Sequence, residues 1–184
     1  DYEQAASIIE ASNQSLFEHG ELSTLCHWSE RIPTQVIAAR MRLNMMVAWA
    51  NNATGHPQQA ERFIQLLEQT LGVSVSDFLE DSPLSEEQPP LERSALLEAS
   101  VILINIAVTS LDLEKTFTMG ERVLARLVGN HAELFAFNPP ENLLSPILFS
   151  LGLAHKINGN LAEAARLFTE AETDAQERKN AHIA

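Results

Sequence analysis

The side chains able to do chemistry are sparse and poorly grouped. His19, Cys26 and His27 come nearest to a metal cluster, but their spacing matches no zinc pattern and further suitable ligands are not close in sequence. Glu86 and Glu87 could in principle act as acid and base. They sit in a polar stretch with no apolar wall to shift a pKa, so solvated charge is the expectation. Serine, histidine and aspartate all occur, yet no G-x-S-x-G turn presents a serine nucleophile. None of the seven glycines precedes a lysine, which excludes a G-x-x-x-x-G-K-[ST] phosphate loop. No catalytic residue, no metal site and no cofactor is expected.

Charge and apolar content narrow the field further. Twelve basic against twenty-five acidic side chains give a net charge of -13, which repels nucleic acid and anionic membranes from most of the surface. The lone cysteine, Cys26, cannot form an internal disulfide, and no cleavable signal opens the chain, so a reducing cytoplasm is the expected compartment. The most apolar stretch, Ala95 to Leu111, contains Glu98 and Asn105 and is shorter than the ~20 apolar residues that span a bilayer. It reads as a buried element of a soluble fold.

The elements that must position any site show helical spacing and weak self-similarity. In the segment 148–175, Leu148, Leu151 and His155 share one helical face, and Leu161, Ala164, Phe168, Ala171 and Ala175 share another. Gly152 and Ala164 are small where two helices approach. Gly159 suits a helix end, and Asn160 with Glu163 suits a capping box at the next start. This order resembles the tetratricopeptide repeat, with His155 in place of the usual tyrosine. Met41 to Gly72 forms a second unit, with Gly55 at the turn, Pro57 in a first helical turn and Ala60, Phe63, Ile64, Leu67 and Leu71 as its stripe. A degraded third unit runs from Val101 through Asp112 to Leu113, Phe117, Gly120, Leu124 and Leu127. Strand is the rival reading of its β-branched "VILINIAV". Near the start, Ala5, Ile8, Ile9, Ser12 and Leu16 mark one helix ending near Gly20, and Leu22, Leu25, Cys26 and Ser29 mark another.

Two segments interrupt the helices. Residues of about 73–90 read as an acidic surface loop, with five acids, no base and three prolines from Gly72 to Leu91. The other, "NHAELFAFNPPENLLSP", places Phe135 and Phe137 before Pro139 and Pro140, either as plugs between hairpins or as an exposed aromatic contact.

The stretch "LCHWSERIPTQVIAARMRLNMMVAWANNATGHPQQAERFIQLLEQ" resembles the helical repeat domain of MalT-like regulators of the LuxR family. There a helix ending in W-x-x-x-[LI]-P precedes a short connecting helix, an A-W helix, a glycine turn and an A-E helix. The matching residues are Trp28 to Pro33, Val36 to Arg40, Ala48 with Trp49, Gly55, and Ala60 with Glu61. Gly120 departs from the pattern, since a larger residue usually stands in that helix.

The resemblance implies an all-α fold, a right-handed α-solenoid of antiparallel hairpins forming a tetratricopeptide-like superhelix. It also implies one repeat domain over residues 1–184 within a longer multidomain chain, with any nucleotide-binding and helix-turn-helix parts elsewhere. Its expected role is non-catalytic: binding a small-molecule inducer or protein partner, or self-associating, to control transcription, without itself contacting nucleic acid or membrane. A free-standing adaptor that holds peptides is the alternative. Stacked hairpins present an extended inner face. On the repeat register that face carries Arg42, Met45, Trp49 and Asn52, then Glu98, Val101 and Asn105, then Phe149, Leu153 and Lys156. The rival reading, which the residue types favour, makes Met45, Trp49 and Phe149 ordinary core between hairpins.

Overall fold

The computed structural model describes residues 1–12, 16, 19–80, 88–129 and 141–181. Among these, every regular element is helical and no strand occurs. The fold is therefore all-α. Expected as one repeat domain, the chain divides into two compact units, Asp1–Phe78 and Leu79–Ala184. Tyr2, Trp28 and Trp49 all belong to the first.

The first unit contains α1 (Tyr2–Ala11), α2 (Leu22–Ser29), α3 (Thr34–Ala38), α4 (Met41–Ala53) and α5 (Pro57–Leu71). Helix α1 starts because the Asp1 carboxylate accepts from the backbone N–H groups of Glu3 and Gln4 at 3.0 and 3.4 Å. Its buried side chains are Ala6 and Ile9, whereas Ile8, expected on the apolar stripe, is 57% exposed. Arg40, just before α4, binds the carboxylates of Glu3 and Glu10 at 2.8 and 2.7 Å and so ties α1 to the centre of the unit. Helix α4 packs against α1, α2, α3 and α5. That position explains why it is apolar on several sides: Leu43, Met46, Val47 and Ala50 are all buried. Each such large side chain removed from water contributes roughly 1.5–3 kcal/mol.

Between α4 and α5, Gly55 takes φ +80°, and Pro57 opens α5 where its missing N–H has no helical acceptor to lose. Helix α5 buries Ala60, Phe63, Ile64 and Leu67 and ends on Gly72 at φ +68°. Part of the expected acidic loop is then helical: α6 (Val75–Leu79) buries Val75, Phe78 and Leu79. Ser74 starts it, its hydroxyl accepting from the Asp77 N–H at 3.0 Å while donating to the Asp77 carboxylate at 2.7 Å. The apolar spacing of Val75, Phe78 and Leu79 outweighs the acidic composition around it. Glu86, Glu87, Phe135, Phe137, Pro139 and Pro140 lie outside the described residues.

In the second unit α7 (Pro90–Thr109), α8 (Leu113–Gly129) and α9 (Glu141–Ile157) pack mutually, and α10 (Leu161–Ala181) lies along α9. "VILINIAV" is helical, not a strand. Val101, Ile102, Ile104 and Ile106 are buried on different sides of α7, so packing overrides their β-branched preference. The α7–α8 turn places Leu111 at φ 63°, the conformation that Gly55 and Gly159 adopt in the corresponding turns. Asp112 then caps α8, accepting from the Lys115 N–H at 3.1 Å.

The segment read as a proline-rich interruption is helical from Glu141 onward, and α9 runs through Pro146. Proline removes one backbone donor and crowds the preceding turn. Burial of Leu143, Ile147 and Leu148 offsets that cost. Ser145 donates to the Asp174 carboxylate and lies 3.2 Å from the Ala171 carbonyl, fastening α9 to α10.

Gly152 and Gly120 explain the close packing here. A Cβ at Gly152 would lie 2.7 Å from the Phe168 ring, and one at Gly120 would lie 2.7 Å from Leu151 Cδ2. Gly120, the departure from the family pattern, is thus the seat for Leu151. The Asn160–Glu163 capping box forms only in part. Asn160 accepts from the Glu163 N–H at 3.3 Å, but the Asn160 N–H bonds the His155 carbonyl and the Glu163 carboxylate turns to Arg166 at 2.7 Å. The α10 stripe is also shifted: Ala164, Leu167 and Ala171 are buried, while Leu161 and Ala175 are exposed.

Candidate functional site

The first unit holds a pocket of about 390 Å³ formed by α2, α3, α4, α5 and the turns that join them. Its origin is local. Helix α2 stops after Ser29, whose hydroxyl folds back onto the Cys26 carbonyl at 2.7 Å. Ile32 and Pro33 then turn the chain into the one-turn α3. Ile32, Ile37 and Phe63 supply buried apolar walls. Glu30, His56, Gln59 and Arg62 are exposed lining residues.

A short polar chain borders the pocket. Thr54 Oγ1 lies 2.7 Å from the Ala50 carbonyl, 3.1 Å from His56 Nδ1 and 3.6 Å from Cys26 Sγ. A hydroxyl has one proton, and the nearest acceptor is the carbonyl. Thr54 is therefore placed to accept from the Cys26 thiol and from a protonated His56 Nδ1. Asn51, also lining the pocket, donates from Nδ2 to the Val47 carbonyl at 2.8 Å. Beside them His27 Nε2 accepts from Arg31 at 3.1 Å, while Nδ1 lies 3.6 Å from the Glu30 carboxylate, beyond hydrogen-bond reach. Arg62 makes no hydrogen bond or ion pair among the described residues. The described residues contain no group of three or more His, Cys, Asp or Glu able to hold a metal, and none of their helices is long and apolar enough to cross a membrane.

The positions expected on an inner face separate by burial. Arg42 and Lys156 are exposed, Trp49, Asn52, Asn105 and Leu153 are half-buried, and Phe149 is 50% exposed. Met45, Glu98 and Val101 are buried in the core, which removes them from any open face. The repeat register misassigns them because α4 and α7 are covered on several sides, so a position that faces a groove in an ordinary hairpin faces a neighbouring element here. Arg42, Met45, Trp49 and Asn52 belong to the first unit, and Glu98, Asn105, Phe149, Leu153 and Lys156 to the second. On α9, Phe149 stacks obliquely on Phe168 with ring centroids 5.5 Å apart. Phe117 and His155 meet similarly at 4.8 Å.

Similarity to known proteins is confined to a short stretch. Serine/threonine-protein kinase PknK of Mycobacterium tuberculosis and that of Mycobacterium bovis are each 29% identical to the chain over 69 residues. The match covers 38% of this chain and 6% of each kinase. No family model matches the chain, and no solved structure matches it.

None of the pocket's polar lining stood out as a site in the sequence. Cys26 was visible only as a poor metal ligand, and nothing in the sequence singles out Gln59 or Arg62. A signal was present in the Trp28–Pro33 segment, where α2 ends at Ser29 and Ile32 and Pro33 turn the chain towards α3.

Proposed function

We propose that this chain is a non-catalytic sensor and protein-interaction repeat domain of a MalT-like LuxR-family transcriptional regulator. In this reading the hairpins continue one another as a right-handed α-solenoid in the cytoplasm. Inducer or partner binding shifts the parent protein between resting and active assemblies, and DNA contact and nucleotide chemistry belong to other parts of it. The observation that carries the sensor role is the pocket: apolar walls with a few polar and charged groups suit a small ligand. The glycine turns at Gly55 and Gly159 and the close approach at Gly152 support the repeat reading. The partial likeness to a much longer serine/threonine-protein kinase is compatible with a module carried inside a larger chain.

A peptide-holding adaptor is the second reading. It is favoured by Phe149, Leu153 and Ile157, which recur every fourth residue of α9 and leave Phe149 and Ile157 about half exposed.

The coding sequence beyond Asp1 and Ala184 separates the two. A phosphate loop upstream and a helix-turn-helix downstream support the regulator, and stop signals with neither refute it. In a transcription reporter driven by the full-length gene product, Arg62→Gln, Arg42→Ala and Trp49→Ala are expected to reduce the inducer response more than Glu86→Gln does. Equal responses from properly folded variants would count against binding at these positions.

A further inference from the structure

We infer that the pocket of the first unit takes a small zwitterion with an apolar side chain, an amino acid or dipeptide. This deepens the sensor reading and rests on the pocket being its ligand site. Two opposite charges, Glu30 and Arg62, line the same pocket, and no ion pair joins them; among the described residues the Glu30 carboxylate has only the 3.6 Å contact with His27. A purely anionic ligand would satisfy Arg62 and be repelled by Glu30, and a purely cationic one would do the reverse. A ligand carrying both an ammonium and a carboxylate answers both groups. Being net neutral, it also escapes the repulsion that a chain of charge -13 exerts on anions.

The remaining lining fits the same class. Gln59 and His56 add polar groups to the same lining, while Ile32, Ile37 and Phe63 offer the apolar wall that an aliphatic side chain would need. A volume of about 390 Å³ accommodates a dipeptide. Glu30 and Arg62 are exposed, so each charge contact is screened and its contribution modest.

The test uses three peptides of nearly equal size: L-leucyl-L-alanine, its N-acetyl form without the ammonium, and its C-terminal amide without the carboxylate. Calorimetric titration of the full chain is expected to show the unblocked dipeptide binding about two- to fivefold more tightly than either blocked form. Arg62→Gln should abolish discrimination against the amide, and Glu30→Gln should abolish discrimination against the acetylated form. Both positions are exposed, and circular dichroism verifies that the variants fold. Equal binding of all three peptides, or no binding of any at millimolar concentration, overturns the zwitterion assignment. If the transcription reporter still responds to pocket substitutions in either case, the sensor reading survives and only the ligand class falls.

Discussion

Gly152→Ala probes the close approach of α9 to α10. In an exposed helix interior this substitution stabilises by about 1 kcal/mol, because alanine loses less backbone entropy. Here the new methyl would stand 2.7 Å from Phe168 Cε1 and 2.8 Å from Cδ1, inside van der Waals contact. The Phe168 ring must swing away, breaking its oblique stack with Phe149, and overpacking of this kind costs roughly 1–3 kcal/mol. With a mid-range cost of about 2 kcal/mol, the propensity gain leaves a net loss of about 1 kcal/mol. Followed by circular dichroism in urea, that loss lowers the midpoint by roughly 0.5 M at a slope of about 2 kcal/mol/M. Phe168→Leu shortens the opposing side chain. The double variant should therefore be more stable than the sum of the single changes by about 1 kcal/mol. A Gly152→Ala protein more stable than the parent would refute the reasoning, since helix propensity would then act without steric opposition.

Two further outcomes follow from local geometry. Leu111 holds a left-handed conformation that costs a branched side chain roughly 1–2 kcal/mol, and it is 67% exposed, so Leu111→Asn relieves strain without opening a cavity. A thermal melt is expected to rise by the equivalent of about 1 kcal/mol, and an unchanged or lowered melt would mean the turn is not strained. The Glu163 carboxyl is held below the usual carboxylate range, chiefly by hydrogen bonds from Arg166 and also by its charge. A depressed folded value means the pair stabilises fully above the unfolded carboxylate value, and the contribution disappears as pH falls through the folded one. The Glu163→Gln melting temperature should therefore depend less on pH in that acidic window; curves parallel to the parent's would contradict it.

Helix existence was largely legible in the sequence because it follows from side-chain spacing. The Ala60–Leu71 stripe fixes α5, and the glycines at 55 and 159 supply left-handed turns that few other residues adopt cheaply. The misses share a physical cause, tertiary packing against a local preference. Pro146 should end a helix, yet Leu143 and Ile147 bury on either side of it. Leu111 should avoid a positive φ, yet the α7–α8 connection imposes one. Spacing was a weaker guide to the site. It grouped the exposed Arg42 and Phe149 with Met45 and Glu98, which are buried in the core. The pocket arises where the chain leaves α2 and enters α3, so it follows from the path of the backbone and has no periodic signature.

The division of aromatic residues has an optical consequence. Tyr2, Trp28 and Trp49 all lie in the first unit, and the second carries none of these chromophores. Near-ultraviolet absorbance at 280 nm and intrinsic emission therefore report on residues 1–78, leaving residues 79–184 dark. Trp28 and Trp49 sit on α2 and α4, the helices that contribute Cys26 and Asn51 to the pocket. The protein thus carries its own fluorophores beside its candidate ligand site, while a proteolytic fragment of the second unit would elute unseen by a conventional absorbance detector.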